Sequence, residues 1–198
     1  VRVGALATLS RNFQMGFLRP VLYRPDVEVV LRSGSPAELL RALESLNLDV
    51  VLTNQLPATD AVAPFLSHRV AEQRVSLVGP RSDGEIGGGL SAHLAARPVI
   101  LPTPESRVRA DFDALADRLG VRPQIAAEVD DMAMMRLLAR EGIGLAVLPP
   151  IVVKDELESG LLVEIDRLPG IVETYHAVTM ERRFPNPLVK TLLQSDAF

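Results

Sequence analysis

RPDVEVVLRSGSPAELLRALESLNLDVVLTN (Arg24–Asn54) and RPQIAAEVDDMAMMRLLAREGIGLAVLPP (Arg122–Pro150) are two renderings of one pattern. Each reads Arg-Pro, short strand, polar joint, amphipathic helix, breaker, apolar strand. In the first, the 3.6-residue period predicts Leu39, Leu40, Leu43 and Leu46 on one helical face. In the second it predicts Met134, Leu137 and Leu138 inward, with Arg136 and Arg140 outside. Gly142 should stop that helix, at a position that needs positive φ. VVLT (Val50–Thr53) and LAVL (Leu145–Leu148) are almost continuously apolar, as in parallel strands covered on both faces.

Working outward, each copy is preceded by another strand and helix. VRVGAL leads into a helix carrying Phe13, Phe17, Val21 and Leu22. PVIL (Pro98–Leu101) leads into one carrying Val108, Phe112, Leu115 and Leu119, ending at Gly120. Strand–helix–strand–helix–strand performed twice implies an α/β fold with two Rossmann-like lobes. Val75–Val78 reads as a strand leaving lobe one, Gly84 and Gly87–Gly89 as a surface loop, and ETYHAVTMERR as a strand crossing back. Two crossings make a two-strand hinge. FPNPLVKTLLQ reads as a closing helix with Asn186 as N-cap, Pro187 first, and Leu188 and Leu192 inward. The expected organisation is lobe one over 1–79 with 180–198, lobe two over 80–174, and hinge segments near 75–80 and 174–180. In open α/β sheets ligands bind beyond the carboxyl ends of the strands, so a cleft between the lobes is the expected site.

Composition narrows the function. The chain has 198 residues, 47% of them hydrophobic, enough for a sizeable core and too apolar for a disordered chain. Net charge is −4, which argues against this stretch gripping nucleic acid by neutralising phosphates. Nineteen of the 21 basic residues are Arg, a compositional bias before it is a recognition signal. There is no Cys, so no disulfide, thiolate nucleophile or Cys-based zinc site can form; this fits a reducing cytoplasm. The start, VRVGALATLS, lacks a signal-peptide apolar core and an initiator Met, and it lies inside a predicted strand. It reads as a soluble piece of something longer. The longest apolar run, IGLAVLPPIVV, is too short to span a membrane. His68, His93 and His176 follow no metal spacing. No GxSxG, P-loop, HExxH or GxGxxG occurs, so neither a cofactor nor a catalytic residue is expected.

Taken in order, several segments resemble the effector-binding domain of LysR-type transcriptional regulators. They are RVGAL with its following Thr8, YRPDVEVVLRSG, LLRALESLNLDVVLT, LPTPES, GVRPQIAAEVDD, LLAREGIGLAVLP and LESGLLVEI. No single piece is specific; the ordered set is, and it covers nearly the whole chain. LPTPES with EVDD and the VTMERR strand is most similar to regulators of the sodium/proton antiporter branch. The resemblance implies the type 2 periplasmic-binding-protein-like fold and a small-molecule effector held in the interlobe cleft. It implies a homodimer formed side by side and antiparallel through a lobe-one helix and a lobe-two helix, with a tetramer common at full length. DNA contact would come only through an N-terminal winged helix-turn-helix outside this sequence. It implies no membrane partner and a cytoplasmic location.

Carried residue by residue, the resemblance places effector contacts at the strand ends. Thr8 stands where the family sets a ligand hydroxyl; the alternative is that Thr8 or Ser10 only caps the helix. Ser35 with Glu38 forms a capping box, with Pro36 at the first helical position, and the family uses the same position for effector contact. Thr53 and Asn54 mark the exit of the third strand, or a simple turn. Thr103, Glu105 and Ser106 occupy the first joint of lobe two; Glu105 replaces the family's small or neutral residue. Asp130 and Asp131 stand where Asn or Ser is commoner. One Asp suffices as an N-cap; either the pair only caps the helix, or at least one of them points into the cleft, with Glu105 as neighbour, and favours an amine, a cation or a polyhydroxyl ligand. Arg11 and Arg107 are read as solvent-exposed, and His176 as a structural residue of the hinge strand. The leading reading is effector-sensing. A solute-binding protein of a transporter, or an enzyme on the same fold, are the alternatives.

Overall fold

The computed structural model describes residues 1–57, 65–81 and 89–194. It divides into two compact units, Val1–Glu72 with Thr174–Phe198, and Gln73–Glu173, called lobe one and lobe two below. The divisions fall within two long strands, β4 (Phe65–Gly79) and β8 (Val163–Met180).

Lobe one holds β1 (Arg2–Leu6), α1 (Arg11–Leu22), β2 (Val30–Gly34), α2 (Pro36–Glu44), β3 (Val50–Thr53) and α7 (Pro187–Leu193), with parts of β4 and β8. β1 pairs in parallel with β2 and β3, and β3 pairs antiparallel with β8. Phe13, Phe17, Leu18 and Val21 of α1 are buried. Phe13 stacks on Tyr175 of β8 with ring centroids 4.0 Å apart. Leu39 and Leu43 of α2 are buried, while Leu46 lies beyond the helix with φ 59° and its side chain 51% exposed. Leu46 therefore leaves the inward face expected for it, because α2 stops two residues earlier.

The lower edge of lobe one is tied by one carboxylate. Asp49 accepts from the Arg2 N–H at 2.8 Å, the Arg2 guanidinium at 3.1 Å, Arg182 at 3.0 Å and the Asn186 amide at 3.3 Å. Arg182 also donates to the Leu48 carbonyl. Burial would raise the Asp49 pKa, but the Arg2 N–H and the two guanidinium groups outweigh it and hold the carboxyl below its ordinary value.

Lobe two holds α3 (Gly89–Ala96), β5 (Val99–Pro102), α4 (Arg107–Leu119), β6 (Ile125–Val129), α5 (Met132–Arg140), β7 (Leu145–Leu148) and α6 (Lys154–Ser159), with parts of β4 and β8. β5 pairs in parallel with β6 and β7, and β7 pairs antiparallel with β4. Successive strand residues enter different clusters. Val99, Leu101, Leu145 and Val147 pack with Val108 and Phe112 of α4, whereas Ile100, Ala146 and Leu148 pack with Met135 and Ala139 of α5. Both faces of the central strands are thus covered, which is why they read as unbroken apolar runs.

The helix faces correct one expectation. Met135 and Ala139 are the buried residues of α5, whereas Met134 and Leu137 are each 46% exposed. The helix seats its small Ala139 against the sheet and turns the larger pair out. Gly142 has φ 70°, as its role as a stop requires. Gly87 and its neighbours in the expected glycine loop lie outside the described residues, except Gly89, which opens α3.

Gly144 is needed for a different reason. A Cβ there would lie 2.7 Å from the Pro98 carbonyl oxygen, a backbone atom that cannot swing aside. The adjacent Leu145 N–H donates to that same oxygen at 2.8 Å. Gly144→Ala should lower the unfolding free energy by about 2 kcal/mol through this overpacking, as chemical denaturation will read.

Candidate functional site

In lobe one the parallel strands β1, β2 and β3 finish on one edge, at Leu6, Gly34 and Thr53. The segment after β1 carries Thr8 and Ser10. Ser10 is buried, and its hydroxyl accepts from the Phe13 N–H at 3.3 Å, so Ser10 is the cap of α1. Thr8 is half-buried, and its hydroxyl has no partner among the described residues. After β2, Ser35 and Glu38 form the capping box: Glu38 N–H to Ser35 Oγ at 3.4 Å, and Ser35 N–H to Glu38 Oε2 at 2.9 Å. The Ser35 hydroxyl also donates to Glu38 at 2.7 Å, which with the Ser35 N–H holds that carboxyl below its usual range. After β3, the Thr53 hydroxyl donates to the Gln55 carbonyl at 2.8 Å and accepts from the Gln55 N–H at 2.9 Å. Ser10, Ser35 and Thr53 therefore spend their hydroxyls on local turns. Asn54 differs: its Oδ1 is buried without a partner among the described residues.

Arg11 is exposed, as expected, and also makes local contacts. Its guanidinium donates to Ser33 Oγ and to the Ala7 carbonyl, both at 3.2 Å, and so bridges the ends of β1 and β2. Arg107 keeps its assignment, with its side chain 88% exposed.

In lobe two the corresponding edge lies beyond Pro102 and Val129, which are register partners. The Ser106 N–H donates to the Thr103 carbonyl at 3.0 Å, closing a turn. Glu105 is exposed; its own N–H and the Thr103 hydroxyl hold its carboxyl below the usual range. Ser106 stands at the N-cap of α4, but its hydroxyl makes no capping bond. Asp131 caps α5 by accepting from the Ala133 N–H at 2.9 Å. Asp130 is exposed and has no partner among the described residues. The two acids thus divide as helix chemistry requires, one cap and one remainder. Neither forms a hydrogen bond or ion pair with Glu105 among the described residues.

Sequence reading passed over Arg109. Its side chain is 11% exposed and it donates to the Pro102 carbonyl at 3.1 Å, to Asp113 at 3.0 Å and to Glu128. Burial would lower its pKa; Glu128 and Asp113 outweigh that and raise it. The available signal was its four-residue spacing to Asp113. Arg109 fixes the exits of β5 and β6 and is a positioning residue.

The histidines do not converge. His68 Nε2 lies 3.1 Å from Thr179 Oγ1, His176 faces Thr53 across the β3–β8 ladder, and His93 sits in α3. Burial, then the positive Arg69, lowers the His176 pKa and keeps its ring neutral at pH 7. Among the described residues no cluster of three His, Cys, Asp or Glu could hold a metal. The described strand ends carry hydrogen-bonding and charged groups.

The family described as LysR substrate binding domain matches residues 1–195. The chain belongs to the LysR substrate-binding domain family. Transcriptional activator protein NhaR of Escherichia coli (strain K12) is 25% identical over 195 residues, which make up 98% of this chain and 64% of NhaR. This LysR domain thus spans less than two thirds of the curated relative it matches. The Vibrio fischeri DarR structure in complex with DNA superposes with TM-score 0.74 at 16% identity, over 99% of this chain and 68% of that one. HinK, a LysR family transcriptional regulator from Pseudomonas aeruginosa, does so with TM-score 0.72 at 21% identity, over 98% and 67%. These likenesses carry the fold: the α/β, two-lobed, type 2 periplasmic-binding-protein-like arrangement.

Proposed function

We propose that this LysR domain senses a small-molecule effector and passes the signal to a DNA-binding segment carried elsewhere in the full-length protein. The observation that supports it most is the sorting of the strand-end polar groups. Capping and turn formation absorb Ser10, Ser35, Thr53 and Asp131, and leave Thr8, Asn54 and Asp130 for a ligand. The remaining members of the set, Thr103, Glu105 and Ser106, are proposed as edge contacts in lobe two. The full-length regulator would act in the cytoplasm, on DNA, and would bind its effector without converting it. The match to NhaR supports the antiporter-regulator branch. To test the whole reading, the full-length protein is footprinted on the DNA upstream of its own gene, with and without compounds that stabilise the domain. A protected site whose extent changes with the compound is expected; no protected DNA would refute the reading.

The acidic edge bears on the effector's charge. With Asp131 engaged as a cap, Asp130 and the exposed Glu105 are the acids left to favour an amine, a cation or a polyhydroxyl compound. Asp130→Asn should weaken a cationic effector about threefold, the equivalent of one exposed charge contact of roughly 0.7 kcal/mol. Titration calorimetry of the variant against the parent reads this directly.

A homodimer is proposed for the isolated domain, and a tetramer for the full-length protein. The exposed Met134 and Leu137 on α5, with Ile125 on the edge strand β6 and Leu31 on the edge strand β2, support it. Apolar side chains beside unpaired strand edges are surfaces that proteins cover.

A further inference from the structure

Lobe one contains a partly open pocket of about 140 Å³ lined by α2 and the segment leaving β3. Its floor is Leu6, Val51 and Val178, which are 4%, 2% and 0% exposed. Val178 lies three residues beyond Tyr175, the partner of Phe13, and so faces away from α1. Leu40 of α2 walls one side and Leu56, 62% exposed, walls the other. The polar contributions come from Thr53 and Gln55, and the Thr53 hydroxyl is already bonded in both directions to the Gln55 backbone. Among the described residues, no ionisable side chain lines it.

These features define a ligand. A charged group there would lose its hydration and gain no counter-charge. An apolar molecule would replace weakly held water against a rigid strand floor. The volume is close to that of the enclosed apolar cavities of about 150 Å³ that accept benzene, and here the Leu56 side is open to solvent. We propose that this cavity is a binding site for a small, uncharged, apolar molecule, roughly the size of benzene. The site stands on lobe one alone and does not depend on the sensing reading. Its occupant would touch α2 just after Ser35 and the strand end just before Asn54, and so would brace the two elements that carry them.

The test uses the 198-residue chain with ¹³C-labelled methyl groups, titrated with benzene and, separately, with benzoate. Benzene should shift the methyl signals of Leu6, Leu40, Val51 and Val178 along saturating curves, and benzoate at equal concentration should leave them in place. Leu40→Phe and Leu56→Phe each fill the cavity from a partly exposed wall, and each should weaken benzene binding by at least about tenfold. Each variant's own methyl spectrum reports whether it is folded. Shifts that never saturate in the parent chain would overturn the proposal. So would benzoate moving the same methyl groups equally, or unchanged benzene curves in both folded variants.

Discussion

Asp49→Ala should lower the unfolding free energy of this domain by about 3 kcal/mol, since removing one partner of a buried ion pair strands the other. Asp49 and Arg182 have side chains 5% and 15% exposed, while Arg2 is 44% exposed and can turn to water, which keeps the figure at the lower end of the usual range. The pH dependence has a definite sign. The folded-state pKa of Asp49 is depressed, so its contribution is complete above the unfolded carboxyl value of about 3.9 and is lost as pH falls through the folded value. The parent chain should therefore lose stability in acid more steeply than the variant, and the two should converge at the lowest pH. Urea melts of both proteins from pH 7 down to strong acid will show this. Parallel curves would mean that Asp49 is spectator to its own network.

Leu137→Glu should convert the proposed dimer into monomer. A carboxylate placed in an apolar interface loses hydration without a partner, and a centrally buried position costs at least about 2 kcal/mol, or roughly thirtyfold in dissociation constant. Because Leu137 points away from the lobe-two core, with Met135 and Ala139 holding the inward face, the variant should keep its melting temperature as a monomer. Sedimentation velocity over a concentration series separates the two states. An unchanged sedimentation profile would remove α5 from the interface.

Periodicity made the fold legible where local rules decide it. The doubled strand–helix pattern, the Ser35–Glu38 capping box and the positive φ of Gly142 all follow from spacing and from backbone sterics. The first part of β4 was missed because Phe65–Arg74 mixes Phe65, Leu66, Val70 and Ala71 with polar residues, every one of them exposed or half-covered, so no continuous apolar run or clean alternation marks a strand. The inward face of α5 was misread for a related reason: hydrophobicity ranks Leu137 above Ala139, but close approach of a helix to a sheet favours the smaller side chain. At the site, sequence could name neighbouring pairs and not choose between them. Thr8 or Ser10 would cap α1, and Asp130 or Asp131 would cap α5; the choice turns on where each helix begins, to the residue. The Asp49–Arg182 pair joins positions 133 apart and left no local trace.

The most direct test of the effector-sensing account is a thermal-shift panel of amines, polyols, carboxylates and alkali cations on this domain, with each stabilising compound recovered and assayed after incubation. The account predicts at least one compound that raises the melting temperature saturably, is recovered unchanged, and loses its effect in a Thr8→Val, Asn54→Ala variant while keeping it in Ser35→Ala. A compound recovered as product, or one whose effect survives the loss of Thr8 and Asn54, would contradict the account.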